Sequence, residues 1–335
     1  MVASPAIVGM NAATLCALGP AYERHNANIH SILVARNGKL VFERYFAAAD
    51  GRPWSSELIH NLASATKSIT ALVLGAALDR GWVEGIDVSA LSFFPEYADL
   101  RTPEKDAITL RHLLTSSQGL AWDSVRPLDR ANSDWRMVSA GDPYRFVFEQ
   151  RVASPPGQTF TYNSASTAII GAVLKKKTGR KLDDLARELL FEPLGITEAF
   201  WQPHHSGDPR AYMGLQMRPR DFAKIGQLVL ARGRWHGKQV IPAEWIETAT
   251  TKQQVVTGYA AWTGYGFQFW IGRFYHQKFG ETDWAAALGY AGQLLYIVPS
   301  LDVVVAINAD IPPALQPNVP RTILDRYVLA SIETR

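Results

Sequence analysis

The chemistry-bearing signal in the sequence is Ser64-Ala65-Thr66-Lys67. On a helix, residues three apart share a face, so this spacing lets the Ser64 hydroxyl and the Lys67 amine touch. A serine hydroxyl is a poor nucleophile until a neighbouring base accepts its proton. An amine serves as that base once burial disfavours its ammonium form, and the positive end of a helix acts in the same direction. The first turn of a helix also presents backbone N–H groups that can face a developing oxyanion. The spacing alone is weak evidence, because roughly one Ser-x-x-Lys match arises by chance in a chain this long. The competing structural reading is a serine N-cap followed by an exposed lysine.

Other routes to catalysis leave no trace. The sequence has no Gly-x-Ser-x-Gly elbow, no Walker A loop and no Gly-x-Gly-x-x-Gly loop. Its 8 histidines form no His-x-His-x-Asp or His-Glu-x-x-His group. The adjacent His204-His205 pair reads as a surface pair rather than as two metal ligands. Cys16 is the single cysteine, which excludes an intrachain disulfide, a Cys-based zinc site and an iron–sulfur cluster. Neither a metal nor a cofactor is expected.

The elements that must position Ser64 and Lys67 can be read in outline. His30–Arg36 and Lys39–Phe46 flank Asn37-Gly38, the residue pair of a type I′ hairpin turn. A helix is predicted from about Ser64 to Asp79, with Leu72, Val73, Ala76 and Ala77 at helical spacing and Gly81 past its end. From about Asp87 to Arg210 the pattern is helical and loop-rich. A helix is predicted from Arg220 to Arg232, ended by Gly233. Strands return at Gly266–Gly272, Leu294–Val298 and Val303–Asn308, and a last helix spans Val319–Glu333. Strands at both ends with helices between them predict an α+β fold: one antiparallel sheet built from both termini and flanked by helices, plus a mainly helical lobe. The expected division is 1–85 with 215–335 against 86–214, with the site in the cleft between them.

Further blocks stand in a fixed order around the Ser-x-x-Lys. Asn61–Thr70 contains it. Ile108–Thr115 follows, with Gly119-Leu120 soon after. Then come Pro155-Pro156-Gly157-Gln158-Thr159-Phe160-Thr161-Tyr162-Asn163-Ser164 and Phe191–Ile196. Last is Ala287-Leu288-Gly289-Tyr290-Ala291-Gly292-Gln293, read as the opening of a strand. This set and order resembles the serine beta-lactamase-like hydrolases from about Ser31 to Asn308. Within them it is most similar to the class C branch: type VIII esterases, DD-carboxypeptidase relatives and 6-aminohexanoate-dimer hydrolases. The resemblance implies the beta-lactamase/transpeptidase-like fold.

The resemblance also implies roles. Ser64 would be the acylated nucleophile, Lys67 the base or proton shuttle, and Tyr162 the family tyrosine that exchanges a proton with the serine or the leaving group. The family Tyr-x-Asn reads Tyr162-Asn163-Ser164, so Ser164 brings a hydroxyl to substrate where relatives bring an amide, and Asn163 is expected to point away from the cleft. The family Lys-Thr-Gly reads Ala287-Leu288-Gly289. Gly289 would let substrate lie along the strand, the backbone N–H of Tyr290 would join that of Ser64 as an oxyanion donor, and Gln293 is either a candidate cleft residue or a strand-end amide satisfied by backbone. The missing cation and hydroxyl grip substrate carboxylates in relatives, which argues against strong beta-lactamase or DD-peptidase activity. Trp122, Trp135, Trp262, Tyr265 and Trp270 fall in segments that could border the cleft, with packing the better reading for most.

The implied activity is a serine hydrolase working through an acyl-enzyme on small carboxylic esters. The alternatives are hydrolysis of small linear amides and a non-catalytic binding module of the same fold. Composition agrees with an enzyme domain: 335 residues, 47% hydrophobic and 19% charged, can bury a large core, which excludes wholesale disorder. A net charge of +3 is no nucleic-acid footprint, and Lys175-Lys176-Lys177 reads as a solvated helix end. Pro, Gly and polar residues interrupt the uncharged stretches Val152–Leu174 and Trp284–Leu301, so no membrane span is expected. No Lys or Arg precedes Arg24, so a cytoplasmic protein is expected, or a periplasmic or secreted one whose leader has been removed. The sequence sets no oligomeric state.

Overall fold

The computed structural model of the chain describes residues 2–23, 27–47, 51–124, 131–257, 262–312, 314–315 and 318–333. Its strands are β1 (Ile29–Arg36), β2 (Lys39–Tyr45), β3 (His60–Asn61), β4 (Ala199–Trp201), β5 (Leu215–Met217), β6 (Arg234–Trp235), β7 (Lys238–Gln239), β8 (Gln254–Val255), β9 (Trp262–Tyr265), β10 (Trp270–His276), β11 (Gly280–Gly289), β12 (Gln293–Val298) and β13 (Val303–Ala309). The main sheet is antiparallel, in the order β2-β1-β13-β12-β11-β10-β9-β8. Its centre joins the two ends of the chain, with Leu33 opposite Ala306. The β1–β2 turn has φ of 51° at Asn37 and 70° at Gly38, the two positive values a type I′ turn needs.

Strands β12 and β13 have no exposed residue. Only strands covered on both faces carry such continuous apolar runs. One face packs on the Pro219–Leu230 helix, where Gly226 permits a close approach: a Cβ there would lie 2.6 Å from Val304 Cγ1. Leu15 and Leu18 near one end of the chain and Ile323, Val328 and Leu329 near the other cover the opposite face.

The Thr66–Asp79 helix lies inside the first of these layers, and every residue from Thr66 to Ala77 is buried. A helix surrounded on all sides needs small or apolar residues all round, which Ala71, Ala76, Ala77 and the Leu72-Val73-Leu74 run supply. Its buried hydroxyls are matched: Ser68 Oγ donates to the Gln268 carbonyl at 2.5 Å and Thr70 Oγ1 to the Ala211 carbonyl at 2.6 Å. The element that carries the candidate chemistry is thus held rigidly on every side.

Several local expectations change. The helix predicted from Ser64 starts with a tighter turn, Ala63–Ala65, and becomes regular at Thr66. The segment Ala287–Gly289 ends β11, and β12 opens only at Gln293 after a Tyr290–Gly292 turn. Three successive alanines, Ala285–Ala287, gave β11 little strand propensity to read. Of the strand expected at Gly266–Gly272 only Trp270–Gly272 is strand, at the start of β10; β9 has ended at Tyr265, and Gln268 turns the chain between them with φ 60°. The helical stretch contains the short strand β4, which pairs with β5. Among the described residues no helix is long and apolar enough to cross a membrane. Lys175, Lys176 and Lys177 end the Ala165–Thr178 helix partly exposed, each paired with an acid: Asp208, Glu96 and Glu84.

Candidate active site

Strands β3 and β5 deliver the nucleophile candidate. Leu62 N donates to the Leu215 carbonyl at 2.8 Å, and Leu215 N donates to Thr66 Oγ1 at 3.3 Å. Asn61 Oδ1 accepts from Ala63 N at 2.9 Å and turns the chain. Ala63 then has φ 46°, a left-handed conformation unusual for alanine, directly before Ser64. Strain beside a reactive residue persists only where the surroundings hold it, and here β5 on one side and the buried helix on the other do so.

Ser64 is half-buried, so its hydroxyl sits at the edge of the interior. Lys67 is 2% exposed. Its Nζ lies 3.2 Å from Ser64 Oγ and donates to the Tyr212 carbonyl at 3.1 Å. The reading of Lys67 as an exposed lysine behind an N-cap is therefore excluded. The same Nζ stands 5.0 Å from the centre of the Tyr162 ring and 5.9 Å from that of Tyr212. The Ser64–Lys67 pair and Tyr162, which is distant in sequence, share one neighbourhood.

The Pro155–Ser164 block is a braced loop. Gly157 N donates to the Ser117 carbonyl at 2.7 Å and Thr161 N to that of Ser116 at 2.8 Å. Asn163 is fully buried; its amide donates to the Thr161 carbonyl at 2.6 Å and to Gln118 Oε1 at 3.2 Å, and its Oδ1 accepts from Ser166 N at 2.7 Å. It points away from the cleft and fixes the turn that presents Tyr162. Behind Tyr162 stand Trp270, at 5.2 Å between ring centres, and Tyr265, at 6.3 Å. Burial and the neighbouring Tyr162 push the Tyr265 hydroxyl well above the usual tyrosine range, so it stays a neutral donor, here to Gln268 Oε1 at 3.3 Å.

The remaining expected positions fall out unevenly. Gly289 sits against the turn before Ser64: a Cβ on it would lie 2.2 Å from the Leu62 carbonyl oxygen and 3.2 Å from Ala63 Cβ. Tyr290 follows in the turn and is 47% exposed. Ser164 gives its backbone N–H to Asp134 Oδ1 at 3.0 Å. Gln293 is buried; it donates to the Ala309 carbonyl, and its Oε1 accepts from Asn308 Nδ2 at 3.1 Å. Both ends of that amide are thus spent on the sheet. Trp122 donates to Asp134 Oδ1 at 3.1 Å, Tyr265 and Trp270 are buried, and Trp135 is 42% exposed. The side chain of Trp262 lies outside the described residues.

Three supporting residues escaped sequence reading. Tyr212 acts on Lys67 through its backbone carbonyl, which no residue type announces. Asp134 gathers Trp122, Ser124 and the Ser164 amide. Gln268 is 1% exposed; its Nε2 serves the carbonyls of Leu113 and Leu114, and its Oε1 accepts from Thr167 Oγ1 at 2.9 Å.

The profile of the family described as Beta-lactamase matches residues 22–330. Esterase EstB of Burkholderia gladioli is 28% identical over 198 residues, which is 53% of this chain and 50% of EstB. The 6-aminohexanoate-dimer hydrolase of Paenarthrobacter ureafaciens is 25% identical over 293 residues, 82% of this chain and 71% of the relative. Among solved structures, a penicillin-binding protein homologue from Caulobacter crescentus superimposes with a TM-score of 0.73 at 18% identity, covering 95% of this chain and 97% of the other. EstCE1, a hydrolase with promiscuous acyltransferase activity, gives 0.74 at 16% identity over 93% and 97%. These likenesses place the fold among beta-lactamase/transpeptidase-like structures.

Proposed function

Because the chain belongs to the beta-lactamase family, we propose that it is a serine hydrolase that cleaves small carboxylic esters through an acyl-enzyme. One observation carries the reading: a lysine nitrogen that is buried yet stands 3.2 Å from a half-buried serine hydroxyl. In the first half-reaction Ser64 Oγ attacks the substrate carbonyl carbon, and its proton passes to Lys67 or Tyr162. The backbone N–H groups of Ser64 and Tyr290 hold the oxygen that gains charge. The C–O bond to the alcohol breaks, and the alcohol leaves with the proton returned by the same pair. Water then attacks the acyl ester and releases the acid and the free serine. Gly289 makes room for the Leu62–Ala63 turn against β11 and not, as expected, for substrate, and Ser164 supplies a hydroxyl at the rim. Gln293 drops out of the substrate set, because its amide is committed to the sheet.

In this reading the lobes are 1–85 with 215–335 and 86–214, and the reaction occurs where they meet. The partner is a small molecule. A linear amide is the second substrate class, favoured by the match to the 6-aminohexanoate-dimer hydrolase over 82% of this chain.

The test is turnover of p-nitrophenyl acetate and butyrate, with intact mass after a fluorophosphonate probe. Wild type turns over ester and gains one adduct, and Ser64→Ala does neither. Wild-type rates in Ser64→Ala overturn the nucleophile, and a wild type that neither turns over nor takes an adduct is a binding module.

A further inference from the structure

The chain passes from β3 into the buried helix through Leu62–Ala65. The strain in that passage sits at one peptide. Leu62 has φ −83° and ψ −2°, ordinary values for a helical turn, whereas Ala63 has φ 46°. For a residue with a Cβ, a left-handed φ is disfavoured by about tenfold. Turning the Leu62–Ala63 peptide over would relieve it. The ψ of Leu62 and the φ of Ala63 would change together, and both residues would enter the broad extended region with their Cα atoms nearly in place.

Two hydrogen bonds oppose that flip. At one end of the peptide the Leu62 carbonyl accepts from Ala65 N at 3.0 Å. At the other, Ala63 N donates to Asn61 Oδ1 at 2.9 Å. The first is a backbone bond that any side chains would allow. The second depends on one side chain. Asparagine is suited to it, because its amide oxygen reaches the N–H two residues on. Asn61 is exposed, and its side chain makes no other hydrogen bond among the described residues.

We propose that Asn61 is a positioning residue: its side-chain oxygen latches the Leu62–Ala63 peptide in the strained orientation that aims Ser64. The proposal rests on the reading of Ser64 as nucleophile and names what keeps that residue preorganised. Lys67 is held independently, by the buried helix and by the Tyr212 carbonyl at 3.1 Å. Releasing the latch therefore moves Ser64 relative to a fixed amine. It disturbs both the 3.2 Å contact from Lys67 Nζ to Ser64 Oγ and the direction of the Ser64 N–H, the proposed oxyanion donor.

Steady-state kinetics with p-nitrophenyl butyrate, beside circular dichroism and thermal melts, test the latch. Asn61→Ala is expected to lower kcat about tenfold, with KM within about threefold of wild type and an unchanged spectrum. Asn61→Asp keeps an acceptor in place and should hold kcat within about threefold of wild type, while Asn61→Ser, which makes a weaker form of the same turn, falls between. Adding Ala63→Gly to Asn61→Ala should recover at least about threefold of the lost kcat, because glycine takes a positive φ freely. A role in stability alone would move Tm, leave kcat of the folded enzyme unchanged and give no such recovery. Asn61→Ala with kcat within about twofold of wild type overturns the proposal, as does a loss that neither aspartate nor the added glycine restores. If Asn61→Ala does not fold, Asn61→Ser with and without Ala63→Gly carries the same comparison. A wild type that neither turns over ester nor takes a fluorophosphonate adduct ends the hydrolase reading and the latch with it; an active wild type matched by Asn61→Ala ends the latch alone.

Discussion

Gly289→Ala tests the closeness between β11 and the turn that carries Ser64, the proposed nucleophile. Gly289 has φ −122°, which any residue adopts, so the substitution adds sterics without backbone strain. The new Cβ would stand 2.2 Å from the Leu62 carbonyl oxygen, where real Cβ contacts do not fall below 3.0 Å. The two segments must therefore part by about 0.8 Å. Neither side yields easily. The Leu62 carbonyl accepts from Ala65 N at 3.0 Å, and β11 is paired on both edges. A shift of that size at a reacting group costs about a hundredfold in rate, whereas overpacking costs about 1–3 kcal/mol in stability. We expect kcat for p-nitrophenyl butyrate to fall about a hundredfold with the protein still folded at assay temperature. Gly85→Ala is the control, because a Cβ there meets nothing within 4 Å and its φ is not positive. If Gly289→Ala keeps kcat/KM within about twofold of wild type and an unchanged Tm, the turn does not sit against β11 as described.

Other outcomes follow from the same geometry. Tyr162→Phe removes one hydroxyl from a ring held by Trp270 and Tyr265, so circular dichroism should match wild type while kcat drops by about 10²–10⁴; an unchanged kcat removes Tyr162 from the proton path. Gln268→Ala strands the Thr167 hydroxyl and the carbonyls of Leu113 and Leu114, and urea unfolding should show about 3 kcal/mol of lost stability; a loss below about 1 kcal/mol contradicts the bridging role. His30 and His60, stacked around Trp54, are both lowered from 6.5 to about 4, by burial first and, for His60, by the charge on His30. Both bind protons more readily unfolded, so their contribution is complete above pH 6.5 and is lost as pH falls toward 4. The loss should be on the order of 3 kcal/mol, allowing for the solvent that reaches His30. A urea series over that window should be shallower in His60→Phe, and an identical slope refutes the assignment.

Legibility in the sequence followed how much of each feature is written in side chains. The β1–β2 hairpin was readable because Asn37-Gly38 is nearly a code for its turn. The Ser64–Lys67 pair was readable because helical spacing forces the two together, and the ordered blocks around it pointed to Tyr162. The start of the helix was not, because the left-handed Ala63 depends on Asn61 and on β5, which is more than 150 residues away. Strand β11 was hidden by its alanines, whose strand character comes from its two neighbours. Gln293 was open in the sequence to a ligand contact or to a strand-end amide met within the sheet, and Asn308 and Ala309 decide for the second.

The pairing of β1 with β13 has a consequence for biosynthesis. Ser31 Oγ donates to Asn308 Oδ1 at 3.1 Å across 277 positions of sequence. On the ribosome the first hairpin emerges long before its neighbour in the sheet, and it waits with an open edge able to pair with another chain. The Ser64 turn waits too, since Gly289 and its strand arrive late. A nascent chain therefore has an unsupported Ser64 turn and is most prone to aggregate in the same interval, which ends when the last strand slots between β1 and β12.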